Sequence, residues 1–139
     1  MAREASHAAI RQHSIFVYGT LKKGFPNHYF LQDAEFVGLA KTVERYGLYV
    51  DEFPSVYQRD SVSSIQGEVY RIDTDTLRRL DMLEGHPRFY QRQEVRVRLQ
   101  SGEKISAWMY FYPERGHRLV SGGEFCLSTE PGREHPGDG

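Results

Sequence analysis

Apolar and polar positions along this chain mostly follow a period of two, with one stretch at the helical period. Ile15-Phe16-Val17-Tyr18 is a continuous apolar run rich in β-formers and stopped by Gly19, the pattern of a strand buried on both faces. Gly19 to Gly24 is a glycine-bounded loop, and Pro26 suits the first turn of a short helix through Tyr29, Phe30 and Leu31. Between Phe36 and Tyr49 the pattern predicts two strands, FVGLAKT and GLYV, separated by a charged break at Glu44-Arg45. Asp51 to Pro54 reads as a loop, because proline there removes a ladder donor. Ile65 to Ile72 is a further strand, in which Gly67 marks a bulge or a close backbone approach.

Asp73-Thr74-Asp75 then supplies capping chemistry for a helix over about Thr74 to Glu84. Alternation returns after Pro87. Val95, Val97 and Leu99 share one face, and Glu94, Arg96 and Arg98 the other. Ser101-Gly102 is a turn signal. Ile105, Ala107, Met109 and Phe111 then alternate with Ser106, Trp108, Tyr110 and Tyr112, so the last strand is apolar on both faces and belongs at the centre of a sheet. About six strands joined by short turns, with one full helix and one short one, predict an α+β chain built on an antiparallel sheet or small barrel.

Composition bounds this picture without changing it. A chain of 139 residues with 39% hydrophobic and 13% aromatic residues is expected to form one domain with a single core. We expect that domain at 14–127, with a flexible leader at 1–13 and a fraying tail at 128–139. A formal net charge of −1 gives no pull toward nucleic acid or acidic membranes. The single cysteine, Cys126, excludes an internal disulfide framework. No apolar run reaches the roughly 18 residues of a membrane span, and the first fourteen residues lack a signal-peptide core, so a soluble cytoplasmic protein is expected.

Candidate chemistry centres on Leu77–Arg92 (LRRLDMLEGHPRFYQR). At about 100° per residue from Leu77, Leu80 lies near 300° and Glu84 near 340°, so Glu84 falls on the apolar stripe. A carboxylate there loses hydration, and its pKa moves up toward the range useful for proton transfer. The alternative is that the helix frays at Gly85 and Glu84 turns to solvent or pairs with Arg88 or Arg92. Tyr18-Gly19-Thr20-Leu21 follows the doubly buried strand, where open backbone N–H groups can face an anion; the structural alternative is a plain connecting loop. Phe25-Pro26 after Gly24 rules out a Walker A loop. Tyr90, Tyr110 and Tyr112 carry hydroxyls that need partners if buried, which makes them candidates to line a site; Trp108 and Phe111 are assigned to the core. The six histidines (His7, His13, His28, His86, His117 and His135) show no metal-ligand spacing, His7, His13 and His135 falling in the expected tails and His86 on a loop near Glu84.

Taken together, Phe16-Val17-Tyr18-Gly19-Thr20-Leu21-Lys22-Lys23-Gly24 with Pro26-Asn27-His28 resembles the opening of the γ-glutamylamine cyclotransferases, within the γ-glutamylcyclotransferase/AIG2-like family. Gly67-Glu68-Val69-Tyr70, Leu80-Asp81-x-Leu83-Glu84, Tyr90-x-Arg92 and Ala107-Trp108-Met109-Tyr110 follow in that family's order, so the resemblance spans about Ile15 to Tyr112. It implies a small mixed β-barrel flanked by helices. It also implies a reaction in which a γ-glutamyl derivative cyclises to 5-oxoproline and releases an amine. Glu84 matches the catalytic glutamate, and Tyr18, Gly19, Thr20 and Leu21 match the loop that binds the glutamyl α-carboxylate and α-amine.

Such a reaction uses the α-amine of the small-molecule γ-glutamyl substrate as nucleophile, so no metal, nucleotide or redox cofactor is called for. The protein holds the chain curled, while one carboxylate acts as general base and then general acid. Tyrosine hydroxyls, with Tyr90 and Tyr110 the chosen pair, would orient Glu84 or polarise the carbonyl. The rivals are an enzyme for γ-glutamyl amino acids or a γ-glutamylated biosynthetic intermediate, and a non-catalytic barrel that binds a metabolite or protein.

Overall fold

The computed structural model describes residues 13–126. Of the leader expected at 1–13, residues 1–12 with His7 lie outside the described residues, as do the tail expected at 128–139 with His135 and residue 127 of the expected domain. The elements run β1 (His13–Val17), a short 3₁₀ helix (Pro26–Leu31), β2 (Glu35–Val50), β3 (Pro54–Tyr57), β4 (Ser63–Ile72), α1 (Thr74–Glu84), β5 (Gln91–Leu99), β6 (Lys104–Phe111) and β7 (Leu119–Val120). His13, assigned by its neighbours to the leader, is the first residue of β1, and its ring bonds the Thr74 hydroxyl at 3.0 Å.

Five strands close into a barrel. β1 pairs antiparallel with β4, β4 with β2, β2 with β5 and β5 with β6, and β6 returns to β1 through a parallel pairing at Ile15–Trp108. The expected α+β barrel is therefore what the chain forms, and this single parallel pair makes it mixed. Phe16, Val69, Val95, Val97, Ala107, Met109 and Phe111 belong to one buried cluster, fed by the barrel strands. Ile15, Val17, Tyr70, Ile72 and Tyr110 form a second cluster with Leu31 of the 3₁₀ helix and with Leu77 and Leu80 of α1. β1 and β6 thus serve both clusters, which is why both read as apolar on two faces.

The chief departure from expectation is β2. The charged pair Glu44-Arg45 does not end a strand; β2 continues for 16 residues, with register shifts at Phe36–Gly38 and Lys41–Arg45. Thr42 carries the ladder across the second irregularity, its hydroxyl donating to Glu44 O (2.6 Å) and accepting from Ile65 N–H (2.8 Å). β2 pairs with β4 again at Arg45 and Tyr46, and from Gly47 it leaves the barrel to pair with β3 and β7, neither of which the sequence pattern predicts. Pro54, expected in a loop, opens β3, a position where a missing N–H is tolerated.

α1 begins and ends where expected. Asp73 caps it, accepting from Thr76 N–H at 2.7 Å, and Gly85 closes it in the left-handed region (φ 69°), its N–H directed to Asp81 O and Met82 O. Behind the loop after β1, Lys22 is buried with its ammonium bonded to Phe125 O, and burial lowers its pKa.

Gly67 resolves as a close approach, not a bulge: a Cβ there would sit 2.2 Å from Val17 O and 2.9 Å from the Phe16 ring. Because the nearest obstacle is backbone, Gly67→Ala is expected to cost about 1–3 kcal/mol or more in urea unfolding. An unchanged midpoint would show that β1 and β4 do not approach this closely.

Candidate active site

A cavity of about 170 Å³ opens where β1 ends, bounded by α1 on one side and by the start of β3 on the other. Its lining includes Tyr18, Gly19, Thr20, Leu21, Glu84, Tyr90 and Tyr110, so all seven residues singled out from the sequence meet at one place. Tyr112 is outside the lining, and its ring packs edge-on against Tyr90 and Phe53. Trp108 is half-buried beneath the Arg92 guanidinium, 4.4 Å from its ring centre, and Phe111 is core as expected.

Two local structures bring the walls together. The loop after β1 turns back through Lys22 N–H donating to Gly19 O and Asn27 N–H donating to Thr20 O, both 3.0 Å, with Asn27 Nδ2 donating to Thr20 Oγ1 at 2.8 Å. These bonds use carbonyls and a hydroxyl. Among the described residues, no acceptor takes the N–H groups of Gly19, Thr20 or Leu21. Gly19 also lets Pro54 come close, since a Cβ there would lie 2.8 Å from Pro54 Cγ. On the facing wall, the left-handed turn at Gly85 ends α1 one residue after Glu84, and Glu84 O accepts Tyr90 N–H at 3.1 Å.

Glu84 is half-buried, and among the described residues its carboxylate joins no ion pair or side-chain hydrogen bond. Burial alone pushes its pKa up to about 7. Arg92, one of the two partners open to it on sequence grounds, is engaged elsewhere: its Nε and terminal nitrogen grip Asp81 Oδ1 and Oδ2 at 2.8 and 3.0 Å.

The tyrosine hydroxyls do not donate to Glu84 either. Tyr18 donates to Tyr110 O (2.8 Å), Tyr90 to Pro54 O (2.7 Å) and Tyr110 to Asp81 Oδ1 (2.7 Å). Burial raises all three phenol pKa values, with the Glu84 charge adding to each, so the phenols lie within its field. His86 stays out of the cavity lining, its Nδ1 accepting Arg92 N–H at 3.2 Å.

Sequence reasoning missed Asp81 and Asn27 as site-shaping residues, and Phe53, Pro54 and Leu83 as apolar lining. For Asp81 a signal existed: the same wheel places it at about 40°, beside Leu77 on the Glu84 face. Among the described residues, no group of three or more His, Cys, Asp or Glu is arranged to hold a metal ion, and no helix is long and apolar enough to cross a membrane.

Comparison with known proteins agrees with the motif reading. A family model described as "Gamma-glutamyl cyclotransferase, AIG2-like" matches residues 15–127. "Putative gamma-glutamylcyclotransferase MJ1514" of Methanocaldococcus jannaschii is 48% identical over 112 residues, 80% of this chain and 93% of the relative. The human protein named gamma-glutamylaminecyclotransferase is 39% identical over 94 residues, 61% of each chain. Among solved structures, an AIG2-like protein from Mus musculus superposes with a TM-score of 0.76 at 28% identity, covering 90% of this chain and 91% of that one.

The raised pKa of Glu84 has a thermodynamic consequence. Between about pH 4.5 and 7 the folded protein holds a proton that the unfolded chain has released, so stability falls as pH rises through that window. At about 1.4 kcal/mol per pH unit, the full cost above pH 7 is on the order of 3–4 kcal/mol. Urea unfolding of Glu84→Gln is therefore expected to match the parent near pH 4 and exceed it at pH 8. A difference that does not vary with pH would place the Glu84 carboxylate in solvent.

Proposed function

The chain belongs to the γ-glutamyl cyclotransferase, AIG2-like family, an enzyme of the cyclotransferase type, and we propose that it is a γ-glutamylamine cyclotransferase with Glu84 as its proton carrier. The observation that carries this reading is an unpaired, half-buried carboxylate sharing a small cavity with a loop of open N–H groups. That combination provides what an intramolecular aminolysis needs from a protein, since the nucleophile comes with the substrate.

The substrate's α-carboxylate sits on the N–H groups of Gly19, Thr20 and Leu21. Its glutamyl chain curls so that the α-nitrogen faces both Glu84 and the γ-carbonyl. Glu84 takes a proton from the α-ammonium, and the freed nitrogen pair forms a bond to the γ-carbon. The adduct then breaks the bond from that carbon to the leaving nitrogen. An α-ammonium sheds two protons on the way to a lactam N–H, and those two convert the departing amide N–H into an ammonium product. One carboxylate carries both in turn, and a pKa near 7 suits it to accept and release at neutral pH.

Support for an amine leaving group comes from the rest of the lining. Phe53, Pro54 and Leu83 are apolar, and among the described residues the cavity wall includes no lysine, arginine or histidine to receive a carboxylate next to the scissile amide. An amino-acid leaving group carries such a carboxylate, whereas a simple or ε-linked amine presents methylenes there.

The test is to incubate the protein with γ-glutamyl-ε-lysine, γ-glutamylmethylamide, γ-glutamyl-alanine and glutathione, and to measure 5-oxoproline. Turnover of the first two is expected, unaffected by EDTA. Preference for γ-glutamyl-alanine would assign the amino-acid substrate class instead, and no product from any of the four would leave a binding module. For the amine substrates, kcat/KM should fall as pH drops through about 7, where Glu84 becomes protonated. Glu84→Gln should lose at least about 100-fold in kcat. Near-parental turnover in that variant would remove Glu84 from the mechanism.

A further inference from the structure

The three phenols around Glu84 share a property that fixes what this end of the cavity can bind. A phenol has one proton to donate. Tyr18 and Tyr90 give theirs to backbone carbonyls, which cannot donate in return, so the direction of both bonds is settled. Tyr110 bonds a carboxylate, and there the direction depends on whether Asp81 is ionised. The bidentate Arg92 grip holds it so: the guanidinium and Tyr110 hydrogen bonds outweigh burial and keep the Asp81 carboxyl below its ordinary range. Tyr110 is therefore the donor, and its oxygen, like that of Tyr90, keeps only lone pairs for the cavity, whereas the Tyr18 oxygen also accepts the Val56 N–H.

We infer that Asp81, clamped by Arg92, is a positioning residue that fixes the Tyr110 oxygen as a hydrogen-bond acceptor, as the Pro54 carbonyl fixes that of Tyr90, and so fits that end of the cavity to an ammonium group. The inference rests on the γ-glutamyl reading above for the identity of that ammonium, the substrate's α-nitrogen before it gives up its proton. With a carboxylate, the Tyr90 and Tyr110 oxygens and, among the described residues, no lysine, arginine or histidine in the lining, a cation with several N–H donors is complementary. A carbonyl or an oxyanion is not, since it would face lone pairs. The tyrosines thus select the nucleophile and leave the developing oxyanion to other donors.

Asp81 is the position where this polarity can be reversed without changing volume. In Asp81→Asn the amide oxygen, in the Oδ2 position, can still accept from the Arg92 terminal nitrogen, while the NH₂ in the Oδ1 position gives up the Arg92 Nε bond and donates to the Tyr110 oxygen, freeing the Tyr110 proton to turn toward the cavity. A structural role alone would not distinguish charged from neutral ligands, so the readout is a ligand preference.

In a Glu84→Gln background, which removes the carboxylate charge and turnover, calorimetry would compare γ-glutamylmethylamide with glutaric acid monomethylamide, the same molecule without its ammonium. The γ-glutamyl compound is expected to bind more tightly. Adding Asp81→Asn should reduce that preference by about tenfold or more, with little change for the glutaric compound. Tyr110→Phe, which leaves the Asp81–Arg92 pair intact, should reduce it similarly and guards against a folding defect in the first variant. Equal weakening of both ligands, or an unaltered preference, overturns the inference. If the parent protein still makes 5-oxoproline in that case, the γ-glutamyl reading stands and the polarity argument alone falls; binding of neither ligand removes both.

Discussion

The double burial of β1 is the constraint on which the rest of this molecule depends. Phe16 packs in the barrel cluster, while Ile15 and Val17 pack with Leu77 and Leu80 of α1. One five-residue strand therefore holds the helix against the barrel, and the loop that leaves it opens directly on the helix's C-terminal end. The Gly67 position, which has no room for a methyl group, lets β1 lie that close to β4. The distance between the loop and Glu84 follows from this packing, because α1 cannot slide without uncovering Leu77 and Leu80.

How much of this was legible in the sequence depends on whether a signal was local. β1, α1 with its Asp73 and Gly85 caps, and the β5–β6 hairpin have periodicity or turn chemistry of their own, and they stand where the pattern put them. β2 was split in two because Glu44-Arg45 reads as a break; its continuity comes from Thr42 bonding across to Ile65, a contact between residues far apart in the chain. β3 and β7 are four and two residues long, too short for any alternation, and exist because β2 overhangs the barrel. The same division applies at the site. Glu84 was visible as an acid out of phase with its helix, and the Gly19 loop as a strand stopped by glycine. The Asp81–Arg92 pair was not, since eleven residues and a left-handed turn separate its members.

Electrostatically, the site keeps its two acids in opposite states though they stand three residues apart on one helix. Asp81 has a guanidinium and a phenol as partners and is held ionised. Among the described residues Glu84 has none, and loss of hydration raises its pKa to about 7. The contrast needs no metal and little charge: a single arginine placed by β5 decides which carboxylate is fixed and which is able to exchange a proton. The phenols link the two, since Tyr110 is bonded to one acid and lies in the field of the other.

The parallel contact between Ile15 and Trp108 also governs when the site comes into being. The residues it joins are separated by most of the described chain, so the contact carries a higher loop-closure cost than the local hairpins. Tyr110 lies two residues beyond that contact on β6, and Tyr18 hydrogen-bonds its carbonyl. Before the ring closes, the wall shared by the loop after β1 and the helix lacks Tyr110. The pocket is complete only when the barrel is closed, because Tyr110 reaches the other lining residues from β6.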